Sequence, residues 1–348
     1  MKSILAYKKF IKKPLFINWT TCKKMDLGAS TVLILIILNI IVYCTKKTTG
    51  IYLEGKYPGK SDISNLLLKN SFFKYIAPGL EITAQDNNIL QLIAGGKTDL
   101  EFRVLPDISK SINFDYFFDC CGNITNFFKN CIKITGNSLT PEGENEVCRL
   151  LGEILTNLKE HLGDRFSQYF VIGFFDTKGD EKIATLTFLN FGDTFYEGLK
   201  ENSTSNMLEI MNNLSEKYIE INGDFTKDFT EEMFWTQLAL QESVSRKYVK
   251  DAGENRGTGT VSMLDFFFNL DEEKNFVPQL TLISGYTKIR FDINDKKYYN
   301  DNMLIFNNEK NIFNKQNQEN ILKLEEFFPG AVITLDFTLN NSWLKKEN

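Results

Sequence analysis

Nineteen consecutive residues, Leu27 to Thr45, read LGASTVLILIILNIIVYCT and carry no charge, with Lys23 and Lys24 before them and Lys46 and Lys47 after. No other stretch constrains the fold so strongly, because a segment this apolar has to leave water. Two environments accept it. One is a bilayer, for which the length and the lysine flanks suffice. The other is the interior of an α/β layer, and periodicity alone does not separate the two. The flanking sequence favours the interior. KPLFINW reads as a short strand, GIYLEGKYP as a second strand ending at Pro58, and SDISNLLLKNSFFKY as a helix with Ser61 as its N-cap. Strand, helix, strand, helix is a βαβα unit, whose helices cover a sheet and can be strongly apolar. The most apolar part, Val32 to Val42, is also shorter than an ordinary span. A membrane helix over 27–45 is the competing expectation.

At 348 residues the chain has room for two domains, each with its own core. The net charge of −5, with acids and bases interspersed, leaves no electrostatic footprint for DNA or RNA. The six cysteines (Cys22, Cys44, Cys120, Cys121, Cys131, Cys148) lack CxxC spacing, and His161 is the one histidine. That pattern predicts buried thiols in a reducing, cytoplasmic compartment and no structural metal.

The first 85 residues resemble a STAS domain, the fold of anti-sigma-factor antagonists. The strand LFINW, the turn MDLGAS, the apolar helix, and the strand and helix after it carry the likeness. In that family the turn holds an Asp followed by a phosphorylatable Ser. Asp26 is in place, Leu27 stands at the serine position, and Ser30 is nearby. The resemblance therefore implies a docking or dimerisation role rather than phosphorylation at 27.

Residues 86–140 form a connecting region whose membership the sequence leaves open, with the domain boundary between Gly79 and Pro141. ILQLIAG is a candidate strand closing the first domain, and SINFDYFFDCCGNITNFFKNCIKI carries an aromatic stripe of the kind that forms a core or an interface. NSLTPEGENE reads as a linker and helix start, with Pro141 in the first turn.

Chemistry is concentrated after residue 141. ENEVCRLLGEILTNLKEHLGD is an amphipathic helix with Val147, Leu150, Leu151, Ile154, Leu155 and Leu158 on its apolar side. Glu153 and Asn157 lie one turn apart on it, a spacing that places a carboxylate beside an amide, suited to a water and a magnesium ion. The same spacing on most helices is only a solvated face. QYFVIGFFD and KIATLTFLN are two strands joined by a polar turn, and the second runs into NFGDTF. A polar and aromatic region, 200–250, follows. ENRGTGTVSMLDFFFNL then opens a helix with a glycine-rich turn, where exposed N–H groups suit phosphate. QLTLISG, TKIRFDI and AVITLDFTL are predicted as three strands, with the shorter MLIFN between the last two.

This order resembles the GHKL ATPases, the ATP-binding fold of sensor histidine kinases, type II topoisomerases and heat-shock chaperones. EILTNLKEHLG is similar to the family's N box, which implies that Asn157 ligates magnesium and that Glu153 activates water. NFGDTF resembles the first glycine box, with Gly192 kept and Asn190 in place of the adenine-binding Asp. RGTGT, with Arg256, Gly257, Thr258 and Gly259, resembles the second, and ALQESVSRK the lid before it. FPGAVITLDF resembles the last box, with Gly330 present and Ala331 where Thr is usual. The resemblance implies an α/β sandwich over 141–348 that binds ATP and magnesium.

Three functions follow as expectations. The first is an ATP-dependent switch with slow hydrolysis, a lid at 200–258 and a protein partner or homodimer, in bacterial signalling, stress or defence. A serine protein kinase of the anti-sigma-factor type is the second, since His161 sits in the N-box helix rather than at an acceptor position. The third is an interaction module that has lost activity, which Asn190 and Ala331 permit.

Overall fold

The computed structural model describes residues 15–18, 20–25, 53–56, 100–104, 136–160, 168–176, 183–242, 244, 259–270, 276–339 and 341–346, and separate positions within 28–37, 63–67 and 122–133. It is a mixed α/β protein whose principal sheet is antiparallel.

Strands β1 (Leu15–Asn18) and β2 (Leu53–Lys56) pair in parallel, with Leu15 opposite Leu53. A parallel pair needs a crossover, and described positions at 28–37 are helical, with Ser30 and Ile37 buried. The interior reading of the uncharged run is supported at these positions. Among the described residues no helix is long and apolar enough to cross a membrane.

The principal sheet has the order β3-β5-β6-β10-β7, from β3 (Leu100–Val104), β5 (Gln168–Asp176), β6 (Ile183–Phe191), β10 (Ile321–Thr338) and β7 (Gln279–Asp292). Period-2 alternation sends Ala184, Leu186 and Phe188 of β6, Leu280 and Leu282 of β7, and Ala331, Ile333, Leu335 and Phe337 of β10 into one core. The opposite face carries Leu189, Val332, Ile283 and Phe328, and Val32 of the N-terminal helix packs on it. β3 pairs with β5 in this sheet, and the buried Ile124, Phe128 and Ile132 belong to its core. The candidate strand ILQLIAG lies outside the described residues.

Helix α1 (Pro141–Glu160) starts where the sequence predicts, with Pro at the first helical position, Thr140 Oγ1 accepting from Gly143 N–H and two glutamates in the first turn. Val147, Leu150, Leu151, Ile154 and Leu155 are buried against the sheet's inner face and the later helices. Short β4 (Asn137–Leu139) pairs with β11 (Leu344–Lys346) beside its start.

Two expectations are corrected. Most of the region taken as a lid, 200–258, is packed structure: helices α2 (Phe195–Glu201), α3 (Ser205–Asn222) and α4 (Glu231–Leu238) start at Thr194, Thr204 and Thr230, each threonine accepting a backbone N–H. Met207, Met211, Phe234 and Trp235 from this region are core. QLTLISG and TKIRFDI, expected as two strands, form the single strand β7. Gly285 at φ +59 bends it rather than ending it. The bend brings Ile293 N–H back to the Pro278 carbonyl, so the β7–β10 ribbon folds over α4. MLIFN contributes only β9 (Met303–Leu304), paired with β8 (Tyr299–Asn300).

Candidate functional site

Helix α5 (Gly259–Phe268) packs against α1. Their relative sense follows from three contacts. Thr140 N–H donates to the Trp343 carbonyl, and a side chain at Gly143 would run into the Trp343 backbone and Cβ, so the start of α1 lies against that residue. Phe266, near the end of α5, sits 5.3 Å from Trp343 and 5.9 Å from Phe337, which belongs to the end of the sheet where Ala184 faces it. The start of α1 and the end of α5 therefore share one end of the sheet. A helix of this length rises roughly 30 Å, so the half of α1 carrying Glu153 and Asn157 lies well away from Trp343. Gly259, the first residue of α5, is at the far end of that helix from Phe266.

At the end of the ladder opposite Ala184 and Phe337, β6 finishes. Asn190 faces Ala331, Phe191 faces both Gly330 and Gln168, and Gly192 follows directly. Asn190, Gly192 and Gly330 thus meet where β6 and β10 end, while Glu153 and Asn157 lie in the second half of α1 and Gly259 opens α5. Glu153 is half-buried. Arg256, Gly257 and Thr258 lie outside the described residues, as does His161.

The side chains of Asn190 and Ser284 are paired within the protein. Asn190 is fully buried, and its Oδ1 accepts from Ala331 N–H at 2.9 Å. Gly330 has φ +127, and a Cβ there would lie 2.1 Å from the Asn190 carbonyl oxygen. Ser284 Oγ donates to the Gly330 carbonyl and accepts from Phe195 N–H, both at 2.9 Å, tying the end of β10 to the start of α2. Sequence reasoning did not pick out Ser284. The signal was present, since Ser284 continues the inward register of Leu280 and Leu282, and a polar residue at a core position needs partners.

Glu232 of α4 lies beside this cluster. Its carboxylate fills the notch left by Gly285 and accepts from Tyr286 N–H. Burial raises its pKa; the Tyr286 N–H works against that shift, Glu197 adds to it and Lys323 opposes it. Tyr299 hydrogen-bonds to Asp265 of α5, and burial followed by the carboxylate pushes the phenol well above its ordinary range.

Among the described residues no group of three His, Cys, Asp or Glu side chains is placed to hold a metal ion. Cys148 is exposed, contrary to the expectation of buried thiols, and Cys22 is half-buried. No protein-family model, curated protein or solved structure matches the chain.

Proposed function

We propose that the chain is a nucleotide-binding regulatory protein of the GHKL type, in which ATP and magnesium bind at the end of the sheet where β6 and the Glu153–Asn157 half of α1 meet the opening of α5. The observation that carries this reading is the meeting of Asn190, Gly192 and Gly330 at one end of the β6–β10 pair, where a glycine permits close backbone approach. We infer that the E-x-x-x-N half of α1 and the turn before α5 flank that end, because the order of these motifs along the chain resembles that of the family. Placement of those elements at opposite ends of the sheet would be incompatible with one binding cavity.

The donor set fits a hard cation modestly. Asn157 supplies one neutral oxygen, in keeping with magnesium's habit of retaining several waters and taking phosphate oxygens. Bound there, the metal would neutralise phosphate charge. Glu153, a turn away, would accept the proton of an attacking water, giving slow hydrolysis. The N-terminal unit supplies a route for the switch. Val32 rests on Leu189 and Val332, the immediate neighbours of Asn190 and Ala331 on the opposite face of the same strands. A ligand that shifts the β6–β10 end is therefore felt by the STAS-like unit or its partner.

Equilibrium binding of a non-hydrolysable ATP analogue tests the reading, with and without magnesium. Saturable, magnesium-strengthened binding that Asn157→Ala abolishes is expected, together with phosphate release from ATP that Glu153→Ala abolishes. Unchanged affinity in Asn157→Ala contradicts the assignment of α1. A second reading, an interaction module without nucleotide chemistry, draws on the full burial of Asn190. The absence of any saturable binding would select it.

A further inference from the structure

We propose that Asn222, at the end of α3, is a site of spontaneous deamidation, and that its conversion to a carboxylate cuts the hydrogen-bonded tie between α3 and the loop at Phe313. Asn222 and Gly223 form the one Asn-Gly pair in the chain. Glycine has no side chain to hinder attack by its nitrogen on the preceding carboxamide, which makes this pair the most reactive place in the sequence for the reaction. Asn222 is exposed, and a Cβ built on Gly223 meets nothing within 4 Å, so neighbouring structure shields neither group. The inference is independent of nucleotide binding.

The reaction needs only water. The Gly223 nitrogen loses its proton and bonds to Asn222 Cγ, the carboxamide nitrogen leaves as ammonia, and a succinimide ring closes. Water then opens that ring at either carbonyl, leaving aspartate or isoaspartate. A carboxamide is thus exchanged for a carboxylate, with no oxidant or metal.

The native geometry sets the pace. Gly223 N–H donates to the Ile219 carbonyl at 2.7 Å, and Asn222 Nδ2 donates to the carbonyls of Tyr218 and Phe313, both at 2.9 Å. All three bonds have to open before the nitrogen reaches Cγ. Opening the last turn of a helix is a local event that does not require global unfolding, so the fold slows the reaction without abolishing it.

The product does not fit the place that asparagine held. A carboxylate has no N–H to donate, and it would face the two carbonyl oxygens that Nδ2 now joins. It would also put a negative charge at the negative end of the helix. The Phe313 ring keeps its contacts with Phe234 and with Lys217, whose Nζ lies 4.6 Å from the ring centre. The loop therefore loosens along its backbone while its ring stays seated. Gln316 of the same loop accepts from Gln237 of α4 at 3.0 Å, so the change is carried to α4.

The test is peptide mapping by mass spectrometry of the full chain after incubation at mildly alkaline pH, in native buffer and in urea. Conversion at Asn222 ahead of every other asparagine is expected in both, and on the order of 100-fold more slowly in native buffer, because three hydrogen bonds must open first. Asn222 remaining intact in native buffer, after a time in which the slowed rate would have converted most of it, overturns the site. Equal rates in the two conditions overturn the control by α3. Hydrogen exchange reads the consequence in Asn222→Asp, with Asn222→Ala as the neutral control. Faster exchange than in the control is expected at Gly223 and at Asn314, whose N–H bonds to the Asn311 carbonyl. Exchange no faster than in the control overturns the effect assigned to the carboxylate.

Discussion

Replacing Gly330 by alanine should be among the most damaging single-methyl additions this protein can suffer, and the structure allows the cost to be apportioned. At φ +127 an L-residue is strained by roughly 1–3 kcal/mol. The new methyl would also sit 2.1 Å from the Asn190 carbonyl oxygen and 3.1 Å from Gly192 N, both backbone atoms that cannot swing aside as a side chain would. Relief requires moving the β6 end and so loosening the buried Ala331–Asn190 hydrogen bond, a loss of about 1 kcal/mol or more. The sum is roughly 4 kcal/mol, which for a domain of this class lowers Tm by about 10 °C. Gly223→Ala is the control. Gly223 also has positive φ, at +86, but a Cβ there meets nothing within 4 Å, so only the strain applies, about 1–2 kcal/mol. Urea unfolding followed by far-UV circular dichroism and by the fluorescence of buried Trp235 gives both values. Equal destabilisation by the two alanines would refute the close approach of β10 to Asn190.

Two further variants test buried polar contacts in and just after α4. Glu232 has its pKa raised chiefly by burial, so its folded value exceeds its unfolded one. The stability tied to its neutral form is fully present below the unfolded pKa and is lost as pH rises through the folded pKa. Glu232→Gln keeps an acceptor for Tyr286 N–H without the charge. Its stability relative to the parent should therefore improve as pH rises from about 4 towards 7, with pH-dependent chemical denaturation as the readout, and an unchanged difference across that range contradicts the burial argument. Gln241 accepts from Leu304 N–H at 2.8 Å and donates to the carbonyls of Gln237 and Leu304. Gln241→Ala orphans a buried N–H and should cost about 2–3 kcal/mol, accompanied by faster amide exchange at Leu304. Protection unchanged at that amide would mean another group has taken its place.

What the sequence made legible was whatever repeats locally. The apolar stripe of α1, the alternation of β6, and the strand–helix–strand order around 15–56 all follow from side-chain periods that short windows contain. Helices α2 to α4 had local signals as well, threonine caps and the spacing of Met207, Met211, Ser215 and Tyr218, but their charged outer faces masked a thin buried stripe. β7 was hidden by a decision made elsewhere in the chain. Whether glycine ends or bends a strand depends on whether the next N–H finds a partner, and here Glu232, more than fifty residues earlier, supplies it. Partners such as β3 with β5 or β4 with β11 leave no trace in local patterning, since each needs a register set across a long loop. The order of the candidate site's elements was readable for the same reason as the helices. The orientation of Asn190 was not, because it depends on where Gly330 and Ala331 arrive from 140 residues downstream.

The clasp between β4 and β11 bears on how the chain is made. Residues 137–143 are synthesised some two hundred positions before the Trp343–Lys346 segment that covers them, yet Thr140 N–H and the Leu139 strand find their partners only there. On the ribosome, α1 emerges with its apolar stripe formed and its foundation missing. The central β10 strand, which joins β6 to β7, is also translated well after α1. Assembly of the core therefore waits until β10 and β11 have been translated, and nascent chains of this protein should depend on chaperones that shelter the apolar face of α1 until those strands arrive.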